Sequence, residues 1–249
     1  MSDYNTGRAP ASVITDVGVD AGLRHFMLGV YQKMGLGLLL SAVLAYVTGT
    51  YGPVADLFYR TSESGRLLGL TGFGMALQFA PLVVILVTSF TMRQPSARAA
   101  GFLFWTVVSL IGAGSGIWVL LYTGASLVST FLLTASAFGV LSLVGYTIKR
   151  DLSGFHSFLI MGVWVLIGAS VLAMFLHIPG SSLVINVVGG LIFAGLVATQ
   201  THMLKMTYYA VAGDAERMGV MTSLGALNLY IAFMNLFQIL LSFMGVRRS

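Results

Sequence analysis

Four histidines, His25, His156, His177 and His202, are the side chains here best suited to moving protons or holding a metal. No two of them stand at the i, i+4 spacing that puts two ligands on one helix face, and H-E-x-x-H is absent. The chain has no cysteine, which excludes disulfides, thiolate metal sites and thiol nucleophiles. Its 8 carboxylates and 13 basic residues lie in tails, in links or close to the ends of apolar runs. A facing pair of carboxylates, as an intramembrane aspartyl protease or a proton relay requires, therefore cannot form within a span. Lys33 and Lys205 sit near run ends, not mid-span where a Schiff-base lysine would be needed. No phosphate-cradling or dinucleotide glycine loop is present. The expectation is a protein that is not an enzyme, with no cofactor and no metal site.

The candidates that remain are polar and uncharged. Asn228, Asn235 and Gln238 recur at near-helical spacing in the last apolar run, with Ala232 among them. Asn186 lies within the sixth run, and Thr199, Gln200, Thr201 and His202 cluster at its end. Such amides bond across helices for about 0.6–2 kcal/mol each, and the same stripe could instead line a hydrated path.

These residues are carried by a chain of 249 residues, 57% hydrophobic and only 8% charged, where a soluble domain has roughly a quarter charged. That composition excludes a soluble enzyme, a nucleic-acid binder and a disordered protein. The lipid bilayer is the expected surrounding and nucleic acid is not an expected partner. Seven runs reach the roughly 17–25 residues that cross a bilayer: 27–51, 67–91, 99–122, 126–146, 155–176, 182–201 and 219–244. None alternates as a barrel strand would, so the fold class is all-α, a polytopic bundle of seven transmembrane helices. The expected division is a polar N-terminal tail at 1–26, the helical domain at 27–245 and a short basic tail at 246–249.

Of the 13 basic residues, Arg8, Arg24, Lys33, Arg93, Arg98, Lys149, Arg150, Lys205 and Arg217 fall on the N-terminal side. Arg60, Arg66, Arg247 and Arg248 fall on the other side. The positive-inside rule then expects a cytoplasmic N-terminus and an outer C-terminus. Gly37-Ser41-Ala45, Gly112-Gly116, Ala135-Gly139 and Ala194-Ala198 give small residues at four-residue spacing, the pattern that lets helices approach closely in lipid. Pro81 within the second run is expected to kink it.

Three stretches carry a resemblance. Gly145-Tyr-Thr-Ile-Lys-Arg-Asp-Leu-Ser153 resembles the basic link after the fourth helix of the Bax inhibitor-1 family. Residues 196–209 resemble the end of that family's sixth helix, and Gly225-Ala-Leu-Asn-Leu-Tyr-Ile-Ala-Phe-Met-Asn-Leu-Phe237 its last. Tyr122-Thr-Gly-Ala-Ser126 fits bacterial members. The resemblance implies a bundle with the last helix central and six around it, in a bacterial inner membrane. It further implies the activities associated with the family: calcium or cation leak, protection from cell death, or restraint of a membrane protease. The family's leak is thought to be gated by two facing aspartates, latched by an arginine.

Carried over by position, the latch arginine is Arg93, while the aspartate positions fall at Gln200 and Ala232. Two close carboxylates share a proton and titrate upward of their usual range, which makes a switch. Gln and Ala cannot do this, and together they offer a calcium ion one neutral carbonyl, so calcium binding is not expected there. His202 is the nearby group that could titrate. The favoured function is binding another membrane protein, a membrane protease or a larger assembly, and regulating or stabilising it. The alternative is a calcium or cation leak with altered or lost pH gating.

Overall fold

The structure is a computed structural model and describes residues 11–62, 67–92, 94–176 and 180–248, with side chains described from Ala21 onward except that of Met174. Among the described residues, seven helices are long and apolar enough to cross a membrane. In chain order the elements are α1 (Ala11–Thr50), α2 (Gly52–Phe58), β1 (Tyr59–Thr61), β2 (Leu67–Leu70), α3 (Gly72–Thr91), α4 (Ala97–Gly114), α5 (Gly116–Leu121), α6 (Gly124–Thr147), α7 (Ser153–Leu176), α8 (Ser181–Val211) and α9 (Ala215–Met244). The fold is the expected all-α membrane bundle, with departures that follow from particular residues.

The first departure is at the start. α1 begins at Ala11, well before Met27, and Leu23 and Phe26 are core residues at 1% and 3% exposure. Leu23, Phe26, Met27, Val30 and Met34 recur at helical spacing, so the buried stripe of the span runs back into what reads as a polar tail. The second is the link after α1. It folds as one helical stretch, α2, and an antiparallel hairpin in which Tyr59 faces Leu70 and Arg60 faces Gly69. Leu67–Leu70, apolar enough to read as the start of a span, is strand β2, and α3 starts at Gly72 because the Thr71 hydroxyl accepts the Gly74 amide at 3.0 Å.

The third departure is a break within the expected third span. Gly114-Ser115-Gly116 interrupts it, leaving α4 and α5 on either side. The carbonyls freed by the break are taken by three side chains. Thr48 donates to Ala113 O at 2.9 Å, Gln78 to Gly114 O at 2.9 Å and the Tyr59 hydroxyl to Gly114 O at 3.3 Å. Tyr59 is 2% exposed, and burial raises its phenol above the usual value.

α9 is the enclosed helix: 61% of its spanning window is buried, against 39% or less in every other span. Its main contacts are with α1, α4, α6 and α8. α3 packs chiefly on α4, and α7 on α8, so these two flank the bundle. Small residues set the closest approaches. Gly112 lies against Ser41, Gly116 against Thr48 and Gly49, and Gly145 against the Ala198 carbonyl. Gly139, by contrast, is on the exposed surface with nothing for a side chain to meet, so the Ala135-Gly139 pair does not make a close seam.

Candidate functional site along α8 and α9

Three contacts fix how α8 and α9 lie. Asn186 donates to the Ser242 hydroxyl at 2.9 Å, Ile239 packs on Gly189 and Leu204 packs on Gly225. In that antiparallel register Gln200 is level with Asn228 and Leu229, and Ala232 is level with Leu196 and Val197. Gln200 and Ala232 are therefore offset by about one helical turn and are not directly opposed.

Ala232 sits in the core at 1% exposure, beside Tyr230 and Phe233. Asn228 is exposed on the bundle surface and not turned inward, while Gln238 is exposed where it lines a cavity. The most buried residues of α9 are Ala226, Leu229, Tyr230, Ala232 and Leu241, all at 1% exposure or less. Asn235 is half-buried, and its amide donates to its own helix at Ile231 O, 2.8 Å away. Asn235 and Gln238 line a cavity of about 300 Å³ between α3, α4 and α9, together with Gln78 and Pro81.

The polar cluster lies on α8. The helix runs on to Val211 instead of ending near Thr201, so Thr199, Thr201 and His202 are inside the packed region at 3% exposure or less. His202 is thus not a solvated histidine at a helix end. Both of its ring nitrogens and the Gln200 side-chain oxygen are buried with no hydrogen-bond partner among the described residues. Their neighbours are paired: Thr201 donates to Ser142 at 3.4 Å and lies 3.4 Å from the Tyr31 hydroxyl, while Thr199 shares a 3.0 Å hydrogen bond with His156. His25 is exposed, and His177 lies outside the described residues.

Several polar contacts in this region were not signalled by sequence. Lys33 donates to the Ser223 hydroxyl at 2.7 Å and lies 5.4 Å from the Phe104 ring centre, a cation held by a hydroxyl and an aromatic face. Lys205 caps the end of α6 by donating to Tyr146 O at 3.1 Å. Ser41 and Tyr230 meet through their hydroxyls at 2.7 Å. Ser and Tyr carry little signal because lipid-facing and buried positions tolerate both. The Gly-Ser-Gly break falls inside what reads as one continuous span, where Gly112 and Gly116 read only as a packing seam.

A family model described as inhibitor of apoptosis-promoting Bax1 matches residues 23–249. The chain belongs to the Bax inhibitor-1 family. A relative in Caulobacter vibrioides, named only as an uncharacterised protein, is 54% identical over the whole of both chains. An uncharacterised protein of Rickettsia prowazekii is 37% identical, covering 92% of this chain and 93% of its own. The inner membrane protein YbhL of Escherichia coli is 35% identical, with 92% and 94% covered. In this Bax inhibitor-1 protein the expected latch residue, Arg93, lies outside the described residues. The carboxylates whose side chains are described, Asp56, Asp151, Asp214 and Glu216, are all exposed. Asp214 caps α9 through the Glu216 and Arg217 amides, at 3.1 and 3.0 Å. Asp151 accepts the Ser153 amide at 2.9 Å and the Ser153 hydroxyl at 3.0 Å. These two bonds hold its carboxyl below the ordinary value, with a smaller pull from His202.

Proposed function

We propose that the protein is a non-enzymatic component of a bacterial inner membrane that binds another membrane protein, a membrane protease or a larger assembly, and regulates or stabilises it. The observation that carries this reading is Ala232, a methyl group at 1% exposure where the resemblance expects a carboxylate. A cation crossing the bundle there would shed water and gain no anionic ligand, at a cost of several kcal/mol. Gln200, one turn away, supplies a neutral oxygen only. The name of the relative YbhL supports the inner membrane as the location. The distribution of Lys and Arg supports a cytoplasmic N-terminus and an outer C-terminus.

The second reading, a calcium or cation leak with altered or lost pH gating, draws support from the unpaired Gln200 and His202 atoms, because buried polar atoms of this kind commonly bind water. Purified protein in liposomes loaded with a calcium dye separates the two, at about pH 6 and about pH 8 where a shared-proton pair would switch. The proposal expects no flux above protein-free liposomes at either pH, together with a stoichiometric membrane-protein partner after cross-linking in intact cells. Flux that changes with pH, and that is lost in His202→Leu, would move the leak reading to first place.

A further inference from the structure

A second cavity, of about 740 Å³, lies on the bundle flank between α1 and α6. α9 forms its floor through Met234 and Phe237, and Trp118 of α5 lies against one end. The lips are apolar and open: Leu39, Tyr46, Val128 and Leu132 are each at least 60% exposed. Gly35, Ala42 and Ala45 on α1 leave the width. Along α1 the lining reaches from Gly35 to Thr50, about 22 Å at 1.5 Å per residue. A bilayer leaflet contributes about half of a 30 Å hydrocarbon core, so the cleft is long enough for one acyl chain.

One charged side chain lines this cleft, that of Arg248, at the end that carries the C-terminus. Its placement is built, not incidental. The tail after α9 folds back on the α5–α6 link. Val246 O accepts the Thr123 amide at 3.0 Å, the Arg248 amide donates to Leu121 O at 2.9 Å and the Val246 amide donates to the Ser126 hydroxyl at 2.9 Å. Gly245 lies against the Tyr122 ring, where a side chain would collide. Arg248 has no carboxylate partner among the described residues, while its neighbour Arg247 does not line the cleft.

We propose that this cleft is a binding site for an anionic phospholipid, with one acyl chain between α1 and α6 and the headgroup phosphate on Arg248. An apolar channel the length of a leaflet, open sideways to the bilayer and ending in one guanidinium with no carboxylate partner among the described residues, matches a chain with a phosphate at its end. Guanidinium binds phosphate through two parallel hydrogen bonds, and both groups are partly desolvated at the membrane surface. A zwitterionic lipid carries its own cation beside the phosphate and loses much of this attraction. The proposal does not depend on whether the protein conducts ions or binds a protein partner.

The test uses the full chain purified in mild detergent and incubated with phosphatidylglycerol or phosphatidylcholine of identical acyl chains. Bound lipid is counted by native mass spectrometry. Wild type should retain phosphatidylglycerol in preference, and Arg248→Gln should reduce that retention roughly tenfold, the effect of one charge-assisted contact. Arg247→Gln should retain it as wild type does. Ala42→Phe, which narrows the cleft without touching the arginine, should reduce retention of either lipid. Folding of each variant is followed by its elution volume and thermal midpoint. If Ala42→Phe fails to fold, the two arginine variants alone decide. Equal retention of the two lipids by wild type, or equal retention by Arg248→Gln and Arg247→Gln, would overturn the site.

Discussion

The hydroxyls of Ser41 on α1 and Tyr230 on α9 lie 2.7 Å apart in a part of the bundle where Tyr230 is fully buried. Ser41 also donates to Val108 O at 3.2 Å, so the pair ties α1, α4 and α9 at one level. Removing either hydroxyl should destabilise the fold by about 0.6–1.7 kcal/mol, the range for polar contacts between helices in lipid. Ser41→Ala and Tyr230→Phe should be less than additive, because each removes the same bond. Reversible unfolding in mixed micelles, with the double variant included, measures the coupling. Full additivity would mean the hydroxyls act independently.

Gly116 should tolerate no side chain. A Cβ there would meet the Thr48 hydroxyl, and the Gly49 amide nitrogen is 3.0 Å away. Gly116→Val should cost about 1–3 kcal/mol or more through overpacking, and it should also disturb the carbonyl caps at the Ser115 break. Gly139→Ala is the matched control. Its surroundings are open, and Ala is the better helix former by about 1 kcal/mol, so the thermal midpoint should hold or rise.

The unpaired oxygen of Gln200 makes a different forecast. Deleting a buried acceptor that has no partner among the described residues removes a desolvation cost of about 1–3 kcal/mol. Gln200→Leu should therefore leave the thermal midpoint unchanged or raise it. A fall of more than about 1 kcal/mol would show that this oxygen is bonded in the membrane, to water or to a bound group.

Asp151 gives the pH dependence. Ser153 holds its carboxyl below the ordinary value, so the folded state binds that proton less readily than the unfolded chain. The stabilisation is present above the unfolded value of about 3.9 and is lost as pH falls through the lower folded value. The turn before α7 should keep its Ser153 amide protection from about pH 8 down to about pH 5 and lose it only in stronger acid. Amide exchange checks this. Loss of protection near pH 6 would show that Asp151 does not set this pH dependence.

Much of the fold was legible because span length and the absence of charge are strong signals in lipid. The enclosure of α9 was legible as well, but through a partly mistaken argument. Asn228, Asn235 and Gln238 suggested an inward polar face, yet Asn228 is exposed, and the most buried residues of α9 are Ala226, Leu229, Tyr230, Ala232 and Leu241. In a membrane both surroundings of a helix are apolar, so hydrophobicity does not separate core from lipid as it does in water. Small residues are the better guide, as Gly112 and Gly116 demonstrate. For the same reason Leu67–Leu70 reads as a span although it is a strand. The end of α8 was misread because polar Gln200-Thr201-His202 mimics a helix terminus, whereas the helix holds those groups inside and continues to Val211. Nothing in local sequence marks the return of Val246–Arg248 to the Tyr122 link, since that contact joins segments far apart in the chain.

The position of α9 has a consequence for how the protein is made. The helix at the centre of the bundle follows the six other described spans in the chain and so leaves the ribosome after them. Until it arrives, α1, α4, α6 and α8 share no common partner, and the Ser41–Tyr230 and Lys33–Ser223 hydrogen bonds do not yet exist. The earlier spans can pair, α1 with α4 and α6 with α8, but the pairs lack the helix that joins them. Closure of the core awaits α9, and the tail that returns after it hydrogen-bonds to the link before α6.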